Sequence, residues 1–186
     1  DILMNVPYSS LWMSKVYLSR PYFDGLIGLA MPDKFQYTFE KLNSRNTQGF
    51  LKLGLTASDR HLIPLVQRSM PKVKTEFFEI DSQRDYFENK YPDLDALVTF
   101  AASASAWSLL YPRFSMVLLP NEPLSVPSGI ATRRDDITLS AFIDTWLISA
   151  QASGDIKHAT NYWVQGQGTE PIEKRWSILN NVLGVK

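Results

Sequence analysis

The 186-residue chain contains no cysteine. Thiolate metal sites, thiol nucleophiles and disulfide scaffolds are therefore excluded, while the redox compartment stays open, because cysteine-free chains suit cytoplasm and periplasm alike. Long apolar runs are also missing, none approaching the roughly 20 residues that span a bilayer. Asp1 is not followed by a basic-then-apolar signal segment. Charge of one sign is absent too: 19 basic residues balance 19 acidic ones, so no global field draws nucleic acid or an anionic membrane. Histidine occurs only twice, and neither His61 nor His158 has a histidine or carboxylate four residues on, the spacing a helical metal site uses. No nucleophile-elbow serine and no phosphate-cradling glycine loop appear. The Gly166–Gly168 stretch lacks a preceding strand and reads as a turn. No catalytic residue, metal or cofactor is expected.

What is present is an ordinary globular composition, 45% hydrophobic and 20% charged, enough for one large domain or two small lobes with real cores. Strand alternates with helix along the chain. "DILMNV" reads as a strand already under way, which suggests a processed or trimmed start, and "PYFDGLIGLAMP" as a second, glycine-spaced strand. After a short helix, "FQYTFEKLN", the strand "GFLKLGL" leads into "TASDRHLIPLVQRSMP". There Leu62, Leu65, Val66 and Met70 follow helical spacing, with Thr56 or Ser58 as cap. The strand "VKTEFFEI" precedes a helix capped by Asp81 or Ser82. The strand "LDALVTF" runs into the small-residue helix "AASASAWSLLYPR", and "FSMVLLP" and "VPSGIATRR" follow as strands. From Asp136 the pattern is helical, with Phe142, Trp146 and Leu147 along one face. Repeated βα units predict an α/β fold with helices flanking a largely parallel sheet.

Four segments in order, "LSRPYFDGLIGLAMPD", "LKLGLTAS", "PDLDALVTFAASASAW" and "VPSGIATRRDDITLSAFIDTWLISAQASGDIKHATNYW", resemble the family 3 extracellular solute-binding proteins of the amino-acid-receptor type. The tail "YWVQGQGTEPIEKRWSILNNVL" is similar to the end of such domains when appended to cation:dicarboxylate symporters. The resemblance implies a periplasmic-binding-protein-like (type II) fold, two α/β lobes joined by crossing strands and closing on a ligand by hinge motion. Residues 25–32 and 123–132 would be the crossings and 34–122 a complete second lobe. Residues 1–24 and 133–186 would form an incomplete first lobe, either cut from a longer chain or reduced in the gene. An incomplete lobe leaves the edge of "DILMNV" open and an apolar face around Trp146 and Trp163, so self-association is expected.

The resemblance also places the ligand grip. The carboxylate-clamping arginine of the receptors falls at Trp12 or Met13, leaving Ser9 and Ser10 as donors. Their glycine-threonine-threonine turn becomes Thr56, Ala57 and Ser58, which keeps hydroxyls and backbone N–H groups for an anion. The aspartate that holds the substrate ammonium falls on Phe100. Each position also has a plain reading. Phe100 is core or a ligand contact; Trp12 is core or a stacking wall; Ser58 is a helix cap or a donor. Arg60 is a replacement cation or a solvated surface group, and Arg133 and Arg134 are an exposed pair.

Two functional classes follow. The first is an extracytoplasmic solute-binding module, on the periplasmic or extracellular face of the membrane. It captures a small polar or anionic solute, with a carboxylate lacking an amine preferred, for an ABC-type or symporter-type transporter in cis or trans. The second is a non-transporting sensory or protein-interaction domain whose pocket has filled with Phe100 and Trp12. Relatives of this fold include dehydratases, so fold alone does not exclude chemistry.

Overall fold

The structure, a computed structural model, describes residues 1–44, 49–119, 124–164 and 167, with the side chains of 40–44 left aside. The stretch "YWVQGQGTEPIEKRWSILNNVL" thus lies largely outside the described residues, as do Gly166 and Gly168. Two compact units are formed, Asp1–Ser149 and Ala150–Lys186.

The first unit is built on an eight-stranded mixed sheet. Its main path runs β1 (Ile2–Pro7), β8 (Ser125–Thr132), β3 (Phe23–Pro32), β6 (Ala96–Phe100), β4 (Gly49–Thr56), β5 (Val73–Ile80). Two further strands lie off that path, β2 (Tyr17–Leu18) beside β8 and β7 (Phe114–Leu118) beside β3. The expectation of a largely parallel sheet is corrected here. Among the described residues only β5, β4 and β6 run parallel, and every pairing of β1, β2, β3, β7 and β8 is antiparallel. Periodicity identifies strands but not their direction, which depends on how the chain returns between them.

β3 is the strand that ties the sheet together. Its first half pairs with β8 from Phe23↔Ser128 to Leu26↔Ser125, and its second half lies between β6 and β7. Close approach around β3 and β8 depends on missing side chains. A Cβ on Gly25 would lie 2.7 Å from the Phe100 ring, and one on Gly129 would lie 2.9 Å from the Ser19 carbonyl. Ser19 is fully enclosed there, its Oγ accepting the Ile130 N–H at 2.9 Å while its own N–H donates to the Ile130 carbonyl at 2.9 Å.

Apolar side chains cover the two faces of the parallel part separately. One face joins Leu51, Leu53 and Leu55 of β4 to Ile27 and Leu29 of β3 and to Leu62 and Val66. The opposite face is aromatic, with Phe87 stacked on Trp107 at 5.4 Å between ring centroids and edge-on to Phe114 at 5.0 Å. The helices are α1 (Ser10–Lys15), α2 (Asp33–Ser44), α3 (Ile63–Ser69), α4 (Gln83–Phe87), α5 (Ala101–Leu110) and α6 (Ile137–Ala152). In α6 the buried face is Ser140, Ile143 and Leu147, whereas Phe142 is 66% exposed and Trp146 49%. The predicted stripe of Phe142, Trp146 and Leu147 is thus divided between two faces. Asp144 of the same helix accepts the Tyr17 hydroxyl and the Arg20 N–H, the latter at 2.8 Å. In the second unit, α7 (Asp155–Trp163) begins after Gly154, whose φ of 83° is a left-handed value that glycine adopts without a Cβ clash. No helix among the described residues is long and apolar enough to cross a membrane.

Candidate functional site

In a parallel sheet the loops at the carboxyl ends of the strands converge, and ligands bind in the crevice they form. Here those ends are Thr56 of β4, Ile80 of β5 and Phe100 of β6. β4 runs directly into a 3₁₀ turn, Ala57–Leu62, and then into α3. Neither Thr56 nor Ser58 caps this turn, because the Thr56 side chain is used elsewhere. Its Oγ1 lies 2.8 Å from Ser58 Oγ and donates to Asp59 Oδ2 at 2.7 Å. β5 is followed by Ser82, which caps α4 by accepting the Asp85 N–H at 3.2 Å. That cap orients the next residue, Gln83, whose Nε2 donates to Thr99 Oγ1 of β6 at 2.8 Å. A side-chain hydrogen bond thereby joins the ends of β5 and β6, while the polar groups at the end of β4 bond within their own turn.

Asp59 is the charged member of this group. Its residue is only 7% exposed, and burial raises its carboxyl above the ordinary value, opposed by hydrogen bonds from Thr56 and Gln83 and by the nearby His61. No lysine or arginine pairs with it among the described residues. His61, two residues on, points Nδ1 at the Ser58 carbonyl at 2.9 Å. Since a carbonyl only accepts, Nδ1 carries a proton. The other ring nitrogen, Nε2, is buried and has no hydrogen-bond partner among the described residues.

Thr56 and Ser58 therefore stand together at the end of β4. Arg60 does not point its charge at them, since its guanidinium is ion-paired with Glu79 of β5, at a largely exposed position. Phe100 occupies the junction of β6 and α5, half-buried, with its ring against Gly25 and the leucine-rich core. It offers α5 no side-chain cap, so the first N–H groups of that helix stay open to other acceptors. Ser9, Ser10 and Trp12 form a second group in the turn from β1 into α1. Ser9 is buried and caps α1 by accepting the Trp12 N–H at 3.4 Å, Ser10 is exposed, and Trp12 is half-buried. Among the described residues no hydrogen bond joins the two groups. Met13 is exposed, and its carbonyl accepts from Arg134 at 2.6 Å, so Arg134 braces α1 while Arg133 pairs with Asp135.

The sequence reading passed over Asp59, Gln83 and Thr99. A Thr-x-x-Asp spacing at a helix start was the available signal for Asp59. Gln83 and Thr99 are 16 residues apart, and only the neighbouring positions of β5 and β6 around β4 bring them together. Among the described residues no group of three His, Asp or Glu side chains is placed to hold a metal ion.

No protein-family model matches the chain, and no curated relative does. Solved structures do match. A mutant of the arginine-binding protein ArgBP of T. maritima aligns with 22% identity and a TM-score of 0.60, covering 89% of this chain and 69% of that one. A periplasmic binding protein of Salmonella typhimurium with high arginine specificity aligns at 20% identity and a TM-score of 0.61, over 88% and 71% of the two chains. An ancestral amino-acid-binding protein, described as a precursor of cyclohexadienyl dehydratase, aligns at 19% identity and a TM-score of 0.59, over 88% and 68%. The chain thus has the α/β fold of periplasmic substrate-binding proteins of the amino-acid-binding type, and spans about 70% of their length.

Proposed function

We propose that this chain is an extracytoplasmic solute-binding module that captures a small polar solute and presents it to a membrane transporter, in the same chain or a separate one. The observation that carries the reading is the polar crest of Thr56, Ser58, Asp59, Gln83 and Thr99 over the carboxyl ends of β4 and β6. In this reading residues 25–32 and 123–132 are the crossing strands, 34–122 the second lobe, and 1–24 with 133–186 the partial first lobe. The antiparallel pairing of β3 with β8 supports that division. The site is degenerate relative to amino-acid receptors, with Phe100 and either Trp12 or Met13 at the positions of their paired charges. Binding rather than catalysis is the role it supports, since the crest holds a single carboxylate and no activated nucleophile. Asp59 counts against a bare anion as the solute, because a buried carboxylate repels one at short range.

One observation favours a second reading, a sensory or interaction domain with a filled pocket: the Phe100 ring is seated on Gly25 at the crossing. Titration calorimetry against the twenty amino acids, small mono- and dicarboxylates and small amines separates the two. Micromolar binding of any one compound is the expected result. Silence across all three classes would leave the filled-pocket reading in place.

A further inference from the structure

We infer that a cavity at the far end of the sheet from the polar crest is a second binding site, and that its ligand is a small aromatic molecule carrying one anionic group. The inference stands apart from the solute-binding reading above.

The cavity, of about 680 Å³, lies where β3 runs into α2 and where the ends of α4 and α5 meet the start of β7. Along β3, Ile27 stands opposite Phe100 and Pro32 opposite Phe114. Five residues at about 3.3 Å each therefore put roughly 17 Å between the cavity and the Phe100 end of the sheet. Its apolar lining is Phe87, Tyr111 and Phe114. Phe87 joins the other two, stacked on Tyr111 at 5.6 Å between ring centroids and edge-on to Phe114 at 5.0 Å. Leu110 lines the same space and is nevertheless 72% exposed. A volume of this order with an aromatic lining and a few polar groups is what small-molecule sites use. A ring entering it meets other rings already fixed by packing, and stacks on them offset or edge-on.

The charged groups of the lining decide the rest. They are two acids, Asp33 and Glu88, and two cations, Lys34 and Arg113. Glu88 is engaged, accepting from Arg84 at 2.6 Å and lying 3.5 Å from Lys90. Asp33 accepts from the Ser115 hydroxyl at 2.5 Å. Among the described residues the side chains of Lys34 and Arg113 have no hydrogen bond and no ion pair. One exposed cation alone is an ordinary surface group. Here two uncommitted cations line an aromatic cavity whose acids are both engaged, and with Glu88 neutralised by its own partners, only Asp33 is set against them. The surplus is one positive charge, which suits a monoanion. An amine would meet Lys34 and Arg113 as like charges. A neutral arene would use the rings and not the cations, and a small hydrophilic acid the cations and not the rings. An aromatic monoanion uses both.

The test is calorimetry and NMR on the full chain at low ionic strength with 3-phenylpropionate, against 3-phenylpropanamide, phenethylamine and propionate. The aromatic acid is expected to bind tightest, to shift resonances of Asn89, Leu110 and Phe114, and to weaken at least about fivefold in Lys34→Gln/Arg113→Gln, as for two exposed charge pairs. Amide or amine binding as tight as the acid would overturn the inference, as would an affinity the double variant does not change. Shifts confined to Thr56, Ser58 and Gln83 would overturn it too, and would support the solute-binding reading instead. No binding of the acid at about 10 mM would overturn it and leave that reading untouched. Both substituted side chains are exposed, so the variant is expected to fold; should it not, the ranking of the four probes on the unaltered chain decides by itself.

Discussion

In β4 the leucines at 51, 53 and 55 have lost essentially all contact with solvent, whereas in β1 Ile2, Leu3 and Met4 are 51%, 54% and 60% exposed. The two strands are similarly apolar in sequence, and both belong to one sheet. They differ in neighbours. β4 has a parallel partner on each side and a helix-covered face. Among the described residues β1 is paired with β8 alone, and its ladder breaks between Leu3 and Val6, where Asn5 takes a φ of 56°. Three consecutive exposed residues on a strand point to both of its faces in turn, so β1 presents apolar surface on either side as well as an open edge. The lesson is that an apolar run states what a segment needs, and the chain around it decides whether that need is met.

The largest test of this contrast is truncation in both strands. Leu53→Ala empties space in a fully enclosed site and is expected to cost about 2–5 kcal/mol in denaturant unfolding. Leu3→Ala, already solvated, is expected to stay within about 0.5 kcal/mol. Equal costs would mean that β1 is covered in solution by something other than solvent. Next in size is Gly25→Ala in β3. The new Cβ would sit 2.7 Å from Phe100, and overpacking of this kind costs about 1–3 kcal/mol. Adding Phe100→Leu is expected to recover part of the loss, and additive effects in the double mutant would show that the ring does not press on that glycine.

A smaller effect is expected at the open edge. Unpaired strand edges with apolar surface associate with one another, so sedimentation velocity over a wide concentration range is expected to show reversible self-association that Leu3→Lys suppresses. A single monomeric species at every concentration would mean the exposed edge is tolerated as it stands. The smallest expected change is the pH response of Asp59. Its carboxyl is raised above the ordinary 3.8 by burial, so the folded chain holds that proton more tightly than the unfolded one. Stability from this group is therefore present at low pH and lost as pH rises through the folded value. Asp59→Asn removes the loss. Unfolding measured from pH 3 to pH 7 is expected to show the variant gaining on the parent as pH rises, and a constant difference would contradict the shift.

Much of this architecture was legible in local sequence. Apolar patterning marked β4, β5 and β6, of the two caps expected for α4, Asp81 or Ser82, it is Ser82 that caps it, and "DGLIGLAMP" and "VPSGIATRR" contain Gly25 and Gly129, where an added Cβ would lie within 3 Å of a neighbour. Other features were not legible. α1 is only six residues long, too short for periodicity to show, and the one local signal for it was the Ser9 cap. The face of α6 was misjudged because Phe142, Trp146 and Leu147 are all apolar, and apolarity does not say which side meets the sheet. Arg60 was weighed as a ligand cation, since nothing local reveals that Glu79, 19 residues away, lies alongside it.

Sequence by itself determined the segments: which residues become strands and helices, that no thiol chemistry is available, and that a hydroxyl pair stands at the end of β4. Those properties follow from composition and from period, which act within a few residues. Tertiary structure decided the rest. It set the antiparallel order around β3, placed Phe100 on Gly25, and joined Gln83 to Thr99 across neighbouring strand ends. It also buried Asp59 beside Thr56 with no lysine or arginine ion-paired to it among the described residues, and left His61 Nε2 buried without a hydrogen-bond partner there. The reason is that burial and pairing are properties of what arrives from elsewhere in the chain, and only the closed fold brings residues 16 to 127 positions apart into hydrogen-bonding distance.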